Sequence, residues 1–324
     1  MCISCNEEFE IVEKMDEMSI SIKVPENFNL GYACINTELR MQKKPVFTSR
    51  TLRLATLKEK GMVYLKTLID QNLADLLIML EWNKAHNILF MRLSSEMFPF
   101  ASHPEHGYDI APYSEELKKI GDYAKSNGMR LTMHPGQFNV LSSPKEDVIK
   151  HTLLDLQHHA RILDLMGLDQ SSVMIIHGGG VYGNKIKSLE RLENNLSLLP
   201  ENVKNRIVLE NCEMSYCVED LLPISERLNI PIVLDFHHDS IYASSNPVEF
   251  YFDRVFSVWE RRHIKPKVHI SNSVPGIKIT DSKTARRKHS DFIYFFHKAL
   301  LSIEFPIDVM FECKMKEQAI LKLK

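Results

Sequence analysis

The chain has 324 residues, 44% hydrophobic and 25% charged, enough to bury one barrel-sized core or two ordinary ones. Its 40 basic and 42 acidic side chains leave a formal charge of −2, which excludes a global basic field, so any nucleic-acid binding must come from a local patch. No apolar run approaches the roughly 20 residues that cross a bilayer, and no apolar secretory segment lies near the start; the six scattered cysteines therefore read as reduced thiols of an intracellular protein without a membrane partner, with cytoplasm and nucleus both open.

Residues 1–27 are acidic and Met-rich, with Glu7, Glu8, Glu10, Glu13, Asp16 and Glu17 close together, and read as an extension outside the main fold. Cys2 and Cys5 form a CxxC, but no second pair follows at zinc-site spacing. Asn29–Cys34 is the first expected strand, with Tyr32 and Asn36 where it emerges. Ser49 to Trp82 is helical, its leucines recurring near a 3.6 period and Gly61 marking an interruption. Asn87–Leu93 is the second strand, followed by a polar loop from Ser94 to Tyr113 that holds His103 and His106.

Six further apolar runs share one ending: Arg130–His134, Val173–His177, Arg206–Glu210, Ile232–Asp235 (continuing His237, His238, Asp239), Lys267–Ile270 with His269, and Ile307–Glu312. Helical patterns follow the strands: Ser114–Ser126 with Ser114 as N-cap, Glu146–Met166, Ser188–Leu199, Tyr216–Leu228, Pro247–His263 and His289–Leu301. Eight strands alternating with helices require parallel strands and suit a closed (β/α)8 TIM barrel spanning 28–324 as one catalytic domain. An open doubly wound sheet is the alternative, but no Gly-rich dinucleotide turn follows the first strand.

In such a barrel the functional groups gather at the carboxyl ends of the strands, which places His134, His177, Glu210, Asp235, His269 and Glu312 around one mouth. Imidazoles and carboxylates without cysteine suit Zn2+, Mn2+ or Fe2+, and carboxylates can bridge two ions. With His103, His238 and His289 nearby, the donors exceed what one ion can use, and the expectation is two or three. A lone strand-end histidine is usually a packing residue, so the inference rests on the six together. His86, His151, His158, His159, His263 and His297 lie on helical patterns and read as surface or packing residues.

Three loops bear on what the metals act upon. His134-Pro135-Gly136-Gln137-Phe138 sets a stiff turn beneath an amide and a ring that could wedge into a base stack; an ordinary loop with a packed Phe is the competing reading. His177 opens HGGGVYGNK, whose bare backbone and Lys185 could approach a phosphate chain. Lys283, Arg286, Arg287 and Lys288 precede His289, and Lys314 and Lys316 follow Glu312. These cations are either solvated charge or, beside metals, phosphate contacts.

The residues resemble the UV damage endonucleases, through GYACIN at Gly31–Asn36, RLSSEMFPFASHP at Arg92–Pro104, HPGQF at His134–Phe138, IHGGGVYGNK at Ile176–Lys185, LEN at Leu209–Asn211, DFHHD at Asp235–Asp239, KVHIS at Lys267–Ser271, RKHSDFI at Arg287–Ile293 and FECKMK at Phe311–Lys316. The motifs run in family order from about residue 29 to 320. The resemblance implies a trinuclear site, with three Mn2+ as the expected ions and Zn2+, Co2+ or Mg2+ as alternatives. His134, His177 and Glu210 would hold one ion; Glu210 as a bridge with Asp235, His269 and Glu312 a second; His238 and His289 a third. His103 matches a histidine beside this cluster, as a ligand or as support for one. Glu210, His103 and Lys267 are the residues implied in catalysis, Lys267 with a depressed amine pKa open to carbamylation.

Gln137 and Phe138 match the family's probing pair, which fills the gap left by two flipped bases; Phe138 stands where the family often has Tyr. Tyr32 and Asn36 match residues near the lesion pocket, and Lys185, Arg287 and Lys314 are the expected DNA contacts. What the resemblance implies is a monomer acting on damaged double-stranded DNA, nicking immediately 5′ to cyclobutane dimers, (6-4) photoproducts and abasic sites. Two alternatives remain: a sugar isomerase or epimerase on the same barrel, and a lesion-binding protein that does not cut.

Overall fold

The computed structural model describes residues 22–324; most of the acidic extension, with Cys2 and Cys5, lies outside the described residues. Eight strands follow in order: β1 (Phe28–Ala33), β2 (Phe90–Arg92), β3 (Arg130–Thr132), β4 (Met174–His177), β5 (Ile207–Glu210), β6 (Ile232–Asp235), β7 (Lys267–Ile270) and β8 (Ile307–Phe311). They are hydrogen-bonded in the order β3-β2-β1-β8-β7-β6-β5-β4, every pair parallel. The two remaining edges meet through a parallel bridge from Met133 to Met174, where the Met133 N–H donates to the Val173 carbonyl and the Ile175 N–H to that of Met133, each at 3.0 Å. The sheet thus closes into the expected (β/α)8 barrel rather than an open sheet.

The main apolar core lies between the outer face of the sheet and the helices, with Leu65, Leu76, Leu80, Ile162, Leu163, Leu209 and Trp259 fully buried. Each such side chain contributes on the order of 1.5–3 kcal/mol. The barrel interior is different. Alternate strand residues face the axis, and they stack as layers: Asn29, Arg130 and Asp308 joined by hydrogen bonds at the amino-terminal end, then Ala33, Phe90 and Met310, then Arg92, His269 and Glu312 at the carboxyl end.

The helix expected from Ser49 spans Leu54–Ala85, and Gly61 with φ 69° breaks it where the leucine period falters. Other expectations need correction. Ser114–Ser126 has the expected bounds, yet Ser114 is no N-cap: the 3-10 turn Ala111–Tyr113 runs straight into the helix, leaving Ser114 already helical and Tyr113 in the cap position without a side-chain bond. The next-but-one helix begins at Lys185 rather than Ser188, because the Asn184 side chain accepts from the Lys187 N–H at 3.0 Å. Most of His289–Leu301 is not helical; only Lys298–Leu301 is. His289 instead pairs with Ser273 in an antiparallel bridge, and the Asn272 side chain accepts from the Tyr294 N–H at 2.7 Å, drawing the aromatic run Phe292–Phe296 along the loop after β7.

Candidate metal centre

The period-2 geometry that lines the axis explains why donors converge: His134 continues the inward series of Arg130 and Thr132, as His269 continues Lys267 and Glu312 continues Asp308 and Met310. Three groups each have donor atoms within 4.8 Å of one another: His134, His177 and Glu210; Glu210, Asp235 and His238; and Asp235, His269 and Glu312. Glu210 is the hub. Its Oε2 lies 3.1 Å from His134 Nε2 and 3.8 Å from His177 Nε2, and its Oε1 lies 3.0 Å from His269 Nδ1 and 3.4 Å from His238 Nδ1. His269 Nδ1 is also 3.3 Å from Glu312.

Neighbours fix these groups in place. Asn211 accepts the Asp235 N–H at 2.8 Å and donates to the Asp235 carbonyl at 2.9 Å, and its own carbonyl lies 2.9 Å from His238 Nδ1, which turns Nε2 toward Glu213, 3.7 Å away. Lys267 Nζ, fully buried, sits 2.7 Å from His269 Nε2. Arg92 donates to Glu312.

The electrostatics fit cations. Burial raises the Glu210 carboxyl, but His269, His177 and His134 outweigh it and hold it well below the usual range. Burial, then Lys267, pushes His269 down to about 4, and burial lowers His177 as well, so these imidazoles stay neutral and able to ligate. Burial, with Glu210 and Glu312, pushes Asp235 up to about 8 despite His238. Against burial, Asp235, Glu210 and Glu213 push His238 up to about 10. A proton is held where negative charge is in excess. The buried Asp235 Oδ2 and His177 Nδ1 have no hydrogen-bond partner. Orphaned acceptors amid surplus carboxylate are what divalent ions would satisfy.

His289 is in none of the three groups; its ring stands 5.0 Å from that of His237, and with His238, Glu213 and Arg287 it lines an adjoining pocket. His103 lies in the loop after β2, where its Nδ1 accepts the N–H groups of Glu105 and His106 at 3.1 and 3.2 Å. Gln137 and Phe138 are exposed, Phe138 by 66%, on the turn after β3. A Cβ at Gly136 would come within 2.4 Å of the Phe138 ring, so the glycine lets the ring fold over the turn.

Tyr32 and Asn36 are fully buried, Tyr32 donating to Asn83 at 2.6 Å and Asn36 capping the short helix Thr37–Arg40. They shape the rim from beneath. Lys185 is paired with Asp220 at 2.5 Å and Arg287 with Glu213 at 2.5 Å, whereas Lys314 is exposed, 3.6 Å from Asp291.

Arg92, Glu213 and Asp155 also serve the site without a sequence signal that marks them for it. Arg92 opens a strand-end motif, but a search for donors skips a cation. Glu213 lies 3.7 Å from His238 Nε2, three residues past Glu210 in a loop without periodicity. Asp155, in the helix Glu146–Leu165, accepts from Ser102 at 2.6 Å and Asn139 at 2.7 Å, tying together the loops after β2 and β3. Nothing in the local sequence marks it.

The family profile described as UV-endonuclease UvdE matches residues 28–324. A UV-damage endonuclease of Schizosaccharomyces pombe is 40% identical over 309 residues, 93% of this chain and 51% of that protein, so the chain spans about half that relative's length. A UV DNA damage endonuclease of Bacillus cereus is 35% identical over 261 residues, covering 79% of this chain and 80% of that one. The crystal structure of SacUVDE is similar with a TM-score of 0.79 at 32% identity, covering 91% of this chain and 96% of that chain. Among the described residues no helix is long and apolar enough to cross a membrane.

Proposed function

The chain belongs to the UV-endonuclease UvdE family, and on that premise we propose that it hydrolyses the phosphodiester immediately 5′ to cyclobutane dimers, (6-4) photoproducts and abasic sites in double-stranded DNA. It acts as a monomer with three divalent ions, Mn2+ foremost and Zn2+, Co2+ or Mg2+ as alternatives. His134, His177 and Glu210 would hold one, Glu210 with Asp235, His269 and Glu312 another, and His238 with His289 the third. When bound, such ions supply Lewis acidity toward the phosphate and lower the pKa of attacking water.

The chain's own residues prepare that chemistry. Burial, then Arg92, pushes the Lys267 amine well below its ordinary value, and this amine occupies His269 Nε2, leaving Nδ1 toward the carboxylates. Against burial, Arg92 and then His269 hold the Glu312 carboxyl well below its ordinary value. His103 supports the rim from the β2 loop. Phe138 and Gln137 enter the stack opposite the lesion, which flips out because damage has already weakened its stacking and pairing. Lys185, Arg287 and Lys314 contact phosphates, the first two by exchanging their carboxylate partners for DNA.

One observation carries this reading: three donor groups sharing Glu210 and Asp235 lie at the rim from which the exposed Phe138 turn departs. A small polyol needs neither feature. The test is incision of irradiated duplex with Mn2+ and then with chelator; a nick 5′ to the lesion that ends in a 3′ hydroxyl and vanishes on chelation is expected. Equal nicking of undamaged duplex would refute the wedge, and metal-independent binding without any nick would favour a non-cutting lesion binder.

A further inference from the structure

Residues 37–53, which lead from β1 into the helix Leu54–Ala85, hold five cations, Arg40, Lys43, Lys44, Arg50 and Arg53, against one acid, Glu38. The chain as a whole carries −2, so this excess is local. Because the segment leaves the carboxyl end of a barrel strand, it lies on the same rim as the metal centre and the Phe138 turn.

The segment is braced. The Phe47 ring lies 4.7 Å from the Arg40 guanidinium and 4.0 Å from that of Arg50. The Phe47 N–H donates to Asp75 and the Arg50 N–H to Asn72, both at 3.0 Å, and the Asn72 amide also donates to the Met97 carbonyl at 3.1 Å, fastening the segment to the loop after β2. Arg50 is neutralised by Asp75 at 2.6 Å. Lys43, Lys44 and Arg53 are exposed, and none of them pairs with a carboxylate among the described residues. Braced backbone with unpaired cations on a DNA-facing rim presents charge at fixed positions.

We infer that residues 40–53 form an arm that grips the phosphate backbone of the duplex flanking the lesion, through Lys43, Lys44 and Arg53. The inference rests on the DNA-cutting reading above. It assigns the arm affinity without lesion selectivity, since phosphates position the protein and carry no damage signal.

The test uses the full chain stripped of metal by chelator, so that binding is read without cutting, and duplexes of roughly 30 base pairs with and without one photoproduct. Loss of three phosphate contacts in K43A/K44A/R53A should lower the slope of log K against log salt by about 2.7, at about 0.9 per contact, and weaken both duplexes by the same factor. The control K84A/K125A/R261A removes three exposed cations from the last turns of helices preceding β2, β3 and β7, at the opposite end of the barrel. An unchanged slope in the arm variant overturns the inference, as does an equal fall in the control, which would make the effect one of net charge. A wild-type protein that does not incise irradiated duplex with Mn2+ restored would defeat the underlying reading instead.

Discussion

The barrel axis carries charge at both ends, and the two ends differ in how that charge is matched. At the amino-terminal end fully buried Asp308 meets Arg130 at 2.6 Å, Lys265, and the Asn29 amide at 2.7 Å. Cations and an amide surround one acid, and both of its oxygens are satisfied, although Arg130 Nη2 has no hydrogen-bond partner. At the carboxyl end four carboxyl groups, Glu210, Asp235, Glu213 and Glu312, face Arg92, Arg287 and imidazoles of which burial keeps His177 and His269 neutral; protons retained on Asp235 and His238 offset the excess, and Asp235 Oδ2 has no hydrogen-bond partner. The contrast teaches that buried charge alone does not mark a site. A matched cluster is architecture, whereas a mismatched one is built around something else.

The sharpest way to break this contrast is Glu210→Gln. It removes the carboxylate shared by two donor groups, so incision should fall by more than about 100-fold, beyond what residues merely supporting a ligand cost. Elemental analysis should find less bound metal, while the metal-stripped protein unfolds no more easily than wild type. Asp308→Ala tests the other end. It leaves Arg130 buried beside no acid, and the denaturant midpoint should fall by an amount equivalent to about 3–5 kcal/mol, with metal per folded chain unchanged.

Asp155→Ala lies between the two, outside the axis but fastening two rim loops. Leaving Ser102 and Asn139 without their acceptor should cost about 1–3 kcal/mol of stability and narrow the preference for irradiated over undamaged duplex, as competition incision assays would show. A pH titration separates the axis from the outer helices. Burial, then His159, pushes His158 down to about 3 from an ordinary 6.5. The unfolded chain therefore binds the extra proton between those values, so stability is complete above pH 6.5 and declines as pH falls toward 3. His158→Phe should flatten that decline in urea melts. The smallest effect belongs to Lys314→Ala: the pair with Asp291 has side chains 59% and 60% exposed, and stability should move by less than about 0.5 kcal/mol.

The strand series was legible because period-2 alternation carries both facts at once, a buried run and the side its last residue faces. That suffices to bring His134, His177, Glu210, Asp235, His269 and Glu312 to one rim. What escaped was decided by contacts distant in sequence. His289 reads as a helix start from its own neighbours, yet Asn272, seventeen residues earlier, directs that segment into a bridge. Lys185 and Arg287 read as free cations, yet each has a carboxylate brought to it by the fold. Tyr32 and Asn36 lie at the mouth in sequence but beneath it in space, since Asn83 of the long helix takes the Tyr32 hydroxyl.

The join between β3 and β4 is the thinnest in the barrel, a single bridge at Met133 and Met174 where the neighbouring pairs have whole ladders. The residues just past that seam are His134 and His177, and Glu210 stands across from both. An ion taken up there would act as a rivet through the weakest stave joint, so that loading the centre and fastening the wall become one event. Amide exchange at Met133 and Ile175 would then report cargo, although neither residue touches it.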